Sequence, residues 1–228
     1  MKIPISTDVQ RLAVDSFRTF LASEVAPVAR LFEGRSIPAQ KMRELTQGIA
    51  EFGLPGASIA QALGGMGLSA DTEAMLFEEL SVVSSVIAEC VLGNLLVASA
   101  LANMPTGRDA LRKRYLPDLL AGRSFGGFFM DQAEGVSAWP TDEGWVFNGT
   151  RQWVGSGQFA DVLIAPLPTE DGACCYVVVE REQHGYLLRN DASRPAQLTF
   201  SIVRLPAGLS AAQQRSITHV LTGISAQG

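Results

Sequence analysis

The segment from 148 to 161, NGTRQWVGSGQFAD, carries the side chain with the clearest chemical use in this chain, the indole of Trp153. An Asn-Gly pair precedes it and a Gly-Ser-Gly bend follows it, so the sequence predicts a turn, a strand and a second turn. An indole in that setting is either a core aromatic of a hairpin or the wall of a ligand site. The local sequence leaves both interpretations open.

The sequence contains few other groups of reactive side chains that could form a catalytic or metal site. The histidines, His184 and His219, lie far apart in different predicted elements and indicate no metal site. Ser156 and Cys174 have no base near them in the sequence, so a nucleophilic triad has no support. The segment LGGMG does not follow a strand and its glycines miss the dinucleotide spacing, which argues against a Rossmann domain.

Glu78 and Glu79 form an adjacent carboxylate pair on a predicted helix. Neighbouring helix positions point about 100° apart, so the two carboxylates do not converge on one substrate atom. We expect one of them to be solvated and the other to be an ion-pair or capping partner, rather than a pair for acid–base catalysis.

Composition limits the possible partners and location. The 228 residues are 47% apolar and 18% charged, which excludes a disordered chain, and the net charge of −5 gives no electrostatic case for nucleic acid or an anionic membrane. Three cysteines and an N-terminus without an apolar leader run favour a reducing, cytoplasmic location. The apolar region from 82 to 102 is interrupted by polar residues, so it predicts buried helices rather than a membrane span.

The first half of the chain has helical periodicity. An apolar stripe runs through a first helix at Val14, Phe17, Leu21, Val25, Val28 and Phe32, and a second at Met42, Leu45, Ile49 and Phe52. Pro27 should kink or divide the first helix, and Pro38 can open the second. A further helix is capped by Ser69 or Asp71, and Gly122 ends the last one.

The second half changes to short β-branched and aromatic runs between turn residues, which predicts antiparallel strands in a small barrel or sandwich. After Pro206, Ser210 and Gln213 form a capping box that starts a terminal helix. Its apolar face consists of Ile217, Val220, Leu221 and Ile224. We therefore predict an α+β chain with a helical domain over 1–122, a small antiparallel β-barrel over 123–207 and a short helix over 208–228.

Eight segments, in order, resemble the acyl-CoA dehydrogenase family across nearly the whole chain. They are FLASEVAPVA, FGLPG, LGGMGLS, FEEL, RYLPDLLAGR, GWVFNGTRQWV, ADVLIAP and LTFSIVRLP. The resemblance implies an N-terminal helical domain and a middle β domain against which FAD lies. It also implies removal of two hydrogens from an acyl thioester, with a glutamate of a C-terminal helical domain as the base; that domain is expected to be missing here.

The resemblance also implies roles for individual residues. Trp153 would lie beside the flavin ring, with Gly155 and Ser156 near its reactive edge, and the strand that faces the ring would hold Phe129, Met130 and Asp131. The helix segment 95–101, LLVASAL, would line the acyl-chain pocket. Its substrate-binding residues would be Leu95, Leu96 and Ser99.

The departures from the family pattern concern hydroxyl groups around the flavin. Met130 stands where the family has threonine, Gly155 stands where it has threonine or serine, and the Gly-Ser-Asp turn is altered near Val136. Each lost neutral hydrogen bond weakens binding by about 1 kcal/mol.

Two hypotheses about function follow. In the first, the chain is a dehydrogenase-like flavoprotein subunit that acts on an acyl-CoA or an acyl-carrier thioester. A partner chain would complete it, in a homo-oligomer or in a hetero-oligomer with a full-length acyl-CoA dehydrogenase-like chain. In the second, the chain is a non-catalytic, flavin-poor subunit that binds acyl thioester or stabilises a catalytic partner.

Overall fold

The computed structural model describes residues 7–103, 109–128, 136–141, 144–152, 159–168, 174–180, 186–189 and 197–206. Its first part is helical, with α1 (Thr7–Phe20), α2 (Ala26–Leu31), α3 (Ala39–Ala50), α4 (Ala70–Val83), α5 (Ser85–Ala102) and α6 (Asp109–Leu120). The described strands follow as β1 (Gly126–Phe128), β2 (Val136–Thr141), β3 (Gly144–Gln152), β4 (Val162–Pro168), β5 (Cys174–Glu180), β6 (Tyr186–Arg189) and β7 (Gln197–Pro206).

The apolar stripe predicted for the first helix is confirmed. Its buried members are Val14, Phe17, Leu21 and Val25, and the partly buried ones are Val28 and Phe32. A π-helical turn over Leu21–Val25 separates α1 from α2, with the amide of Ala26 bonded to the carbonyl of Leu21. Pro27 lies in the first turn of α2. Because proline is tolerated there and not in a helix interior, it divides the helix, as predicted.

The boundary between α4 and α5 is set by a serine cap. The hydroxyl of Ser84 accepts the amide of Ile87 at 3.3 Å, just as Ser69, not Asp71, caps α4 by accepting the amide of Thr72 at 3.2 Å. By length and hydropathy alone α5 could cross a membrane. In this fold it is the central core helix, because most of its residues are buried against the other helices and β1.

Gly122 ends the helical part in the way the sequence predicts. Its φ of +66° is left-handed, and an added Cβ would collide with the carbonyl oxygen of Thr46. The hydroxyl of Thr46 donates to the carbonyl of Gly122 at 3.0 Å. The end of α6 is thereby fixed against α3, and the chain enters β1 from a defined point.

The described strands form two sheets, in the orders β1-β4-β5 and β2-β3-β7-β6. The second sheet and the β4–β5 pair are antiparallel, as predicted. The β1–β4 pair is parallel, with Gly126 opposite Val162 and Phe128 opposite Ile164, so the expectation of an entirely antiparallel domain was wrong. Its cause is topological: long intervening chain returns β4 to the edge of β1 in the same direction. A closed barrel stays a prediction.

Two apolar clusters hold the helices and the first sheet together. One joins α1, α3, α4 and the start of α5, and it includes a ring cluster in which Phe52 lies 5.2 Å from Phe17 and 5.0 Å from Phe20 between centroids. The other joins the end of α5 to α6 and to Val162 and Ile164 of β4. Each fully buried side chain of this size contributes roughly 1.5–3 kcal/mol. The helical part and the first sheet therefore share one continuous core through α5.

Candidate functional site

The predicted substrate-binding residues lie on α5, but they do not share one environment. Leu96 is 9% exposed and packs in the cluster with Val162 and Ile164, so packing alone accounts for it. Leu95 and Ser99 are partly exposed and lie on the side of the helix that the core does not cover. If α5 forms the wall of an acyl pocket, Leu95 and Ser99 are the residues that reach it.

The strand β1 is attached to α5 through one buried amide side chain. Asn94 is 1% exposed, and its Oδ1 accepts the amide of Gly126 at 2.6 Å while its Nδ2 donates to the carbonyl of Ser124 at 3.1 Å. A buried polar side chain in an apolar helix needs such partners. The sequence signal of this attachment is an asparagine inside the apolar run of α5.

Asp161 makes a second attachment, at the residues that precede β4. Its Oδ2 accepts the amide of Phe125 at 2.9 Å and the hydroxyl of Ser124 at 3.3 Å, and its Oδ1 accepts from Nη2 of Arg43 at 3.1 Å. The guanidinium of Arg43 also lies 4.9 Å from the centre of the Phe125 ring, in cation–π contact. Helix α3, β1 and the start of β4 are thus joined at one carboxylate.

The six predicted cofactor residues fall outside the described residues. They are Phe129, Met130, Asp131, Trp153, Gly155 and Ser156. Their described neighbours are ordered: β1 ends at Phe128, directly before the first group, and Phe159 to Asp161 follow the second. Asn94, through Gly126, therefore holds the chain before the first predicted flavin segment, and Asp161 holds the chain after the second.

The carboxylate pair on α4 behaves as expected. Glu78 is exposed, whereas Glu79 accepts a 2.6 Å hydrogen bond from Nη2 of Arg18 on α1, which lowers the pKa of that carboxyl. The pair therefore consists of one solvated residue and one ion-pair partner. Within the described part of the chain, no group of three or more His, Cys, Asp or Glu residues is arranged to hold a metal ion.

Glu89 is a further carboxylate of the helical part. It lies on α5 between buried neighbours, and burial raises the pKa of its carboxyl above the ordinary value. The thiol of the adjacent Cys90 is fully buried, and its pKa is raised chiefly by the same effect. Glu89 is therefore an exposed residue of α5 whose carboxyl is partly desolvated.

A cavity of about 800 Å³ lies elsewhere, between the connection that follows α2 and the junction of α4 with α5. Its walls include Phe32, Arg35, Ile37, Val83 and Val86. Neither Leu95 nor Ser99 lines it, so it is separate from the predicted acyl pocket.

Comparison with known proteins agrees with this architecture. The model of the acyl-CoA dehydrogenase N-terminal domain matches residues 7–123, just over half of the chain. The very long-chain specific acyl-CoA dehydrogenase of Rattus norvegicus is 29% identical, over 82% of this chain and 33% of that protein. The isovaleryl-CoA dehydrogenase of Pongo abelii is 24% identical, over 94% of this chain and 55% of that protein.

A solved structure shares the fold. The glutaryl-CoA dehydrogenase of Mycobacterium smegmatis in complex with FADH2 matches with a TM-score of 0.76 at 20% identity, over 95% of this chain and 61% of that one. The chain spans between a third and about half of the length of the two curated relatives. From the match to the N-terminal domain, the chain belongs to the acyl-CoA dehydrogenase family.

Proposed function

We propose that the chain is a flavoprotein subunit of an acyl-CoA dehydrogenase-type oxidoreductase, with an acyl-CoA or acyl-carrier thioester as substrate. The observation that carries this proposal is the attachment of β1 to α5 through Asn94 and Gly126. It places the strand that leads into the predicted flavin segment directly against the helix that carries Leu95 and Ser99. A cofactor held after β1 and an acyl group on α5 would then be carried by two elements that are directly joined.

The described residues at the flanks of the predicted FAD segments are held by the hydrogen bonds that the Gly126 and Phe125 amides donate. Bound FAD would supply the acceptor for the two electrons of α,β-dehydrogenation. Trp153 would stack on the ring, and the backbone amides around Gly155 and Ser156 would lie at its edge. The remaining contacts would come from Phe129, Met130 and Asp131.

We assign the base to a residue outside these 228, on a partner chain in a homo-oligomer or a hetero-oligomer with a full-length acyl-CoA dehydrogenase-like chain. Glu79 is committed to Arg18, and Glu78 faces solvent. We also propose that the chain divides into a helical domain over 1–122, a β domain over 123–207 whose two sheets close into a barrel, and a terminal helix over 208–228. The proposed location is cytoplasmic.

The alternative is a non-catalytic, flavin-poor subunit that binds acyl thioester or stabilises a catalytic partner. The absence of hydroxyls at Met130 and Gly155 favours it, because two or three lost hydrogen bonds lower affinity by about a hundredfold. A chain of this kind would still use α5 and the first sheet to hold its shape.

The test is to purify the chain with and without its native partners and to record the flavin spectrum. The isolated chain is expected to be colourless or sub-stoichiometric in FAD, and to bind added FAD weakly. It is also expected to give no acyl-CoA-dependent reduction of an artificial acceptor, whereas the complex with a partner that supplies the base reduces the acceptor. A complex that carries flavin in the partner alone and works equally well when Trp153→Ala is introduced would favour the alternative.

A further inference from the structure

We draw no further inference here: the strongest candidate, the cavity of about 800 Å³ between the connection that follows α2 and the junction of α4 with α5, has the exposed side chains of Val82, Val86, Arg30 and Arg35 in its walls, and nothing in the structure shows what covers it.

Discussion

Oδ1 of Asn94 accepts the amide of Gly126 at 2.6 Å, and this bond joins the buried helix α5 to the first strand of the β domain. Both groups are buried, so neither can exchange its partner for water. The bond lies between the helix that carries the predicted acyl-binding residues and the strand that leads into the predicted flavin segment. The consequences of removing it, and the other features that hold this junction, can be measured.

Asn94→Ala should lower the free energy of unfolding by about 2–4 kcal/mol, because it removes the acceptor of the Gly126 amide and the donor to the Ser124 carbonyl. Urea denaturation followed by circular dichroism measures this loss. Asn103→Ala is the control at the exposed end of the same helix, where the amide group donates to the carbonyl of Ser99, and it should cost well under half as much. Equal losses in the two variants would mean that the bonds of Asn94 contribute no more to stability than the exposed bond of Asn103.

Gly126→Ala should destabilise the chain by about 1–3 kcal/mol, since its Cβ would lie 2.8 Å from Cβ of Val97 and 3.0 Å from the carbonyl oxygen of Gly93. The double variant Gly126→Ala with Val97→Gly tests the cause, because glycine removes the Cβ of Val97 together with its methyl groups. The added methyl group then enters space that Val97 leaves, so the double variant should be less destabilised than the sum of the single variants. Simple additivity in thermal or urea unfolding would contradict this contact.

Asp161→Ala should lower both stability and FAD affinity. It leaves the amide of Phe125 without its acceptor and releases Arg43, at a cost of about 1–3 kcal/mol. Because Asp161 fixes the chain after the predicted flavin segment at 153–156, the dissociation constant for FAD should rise several-fold. Asp118→Ala, which removes an exposed pair with Arg123, is the control and should change neither quantity by much. Unchanged FAD binding in a destabilised Asp161→Ala chain would restrict this residue to a structural role.

Glu89→Gln should stabilise the unliganded chain at neutral pH and lose this advantage in acid. The pKa of the Glu89 carboxyl is raised in the folded state by burial. The folded state therefore binds more protons than the unfolded state from the ordinary Glu pKa of 4.5 upward, and stability falls as pH rises through that window. Below it the carboxyl is protonated in both states, and the variant and the wild type should converge. Urea unfolding at pH 3.5 and pH 7 compares them, and an advantage that grows in acid would refute the sign.

The predicted terminal helix, whose residues lie outside the described part of the chain, should lie in or beside an oligomer interface. Burial of Ile217, Val220, Leu221 and Ile224 is worth roughly 1.5–3 kcal/mol each. Leu221→Asp with Ile224→Asp should dissociate the oligomer, since buried unpaired carboxylates are costly. Light scattering at micromolar concentration measures the mass, with Gln214→Asp, a change at a polar position of the same segment, as the control. A monodisperse wild-type monomer would contradict the prediction.

Local patterns in the sequence determined much of the helical part. The stripe through Phe17 and Leu21, the division at Pro27, the cap at Ser69 and the end at Gly122 follow from helix periodicity and backbone stereochemistry, which act over a few residues. The strands β3, β4, β5 and β7 could be recognised for the same reason, and the order of eight segments identified the family. A short strand such as β1 or β6 has too few residues to show a period.

Tertiary structure alone decided which distant residues meet. The parallel pairing of β1 with β4, the convergence of Arg43, Ser124 and Phe125 on Asp161, and the bond from Asn94 to Gly126 join residues 30 or more positions apart. It also divided the predicted acyl residues, with Leu96 in the core and Leu95 and Ser99 partly exposed. Sequence periodicity shows that a helix has a buried side; the packing of its neighbours decides which residues at the margin of that side stay accessible.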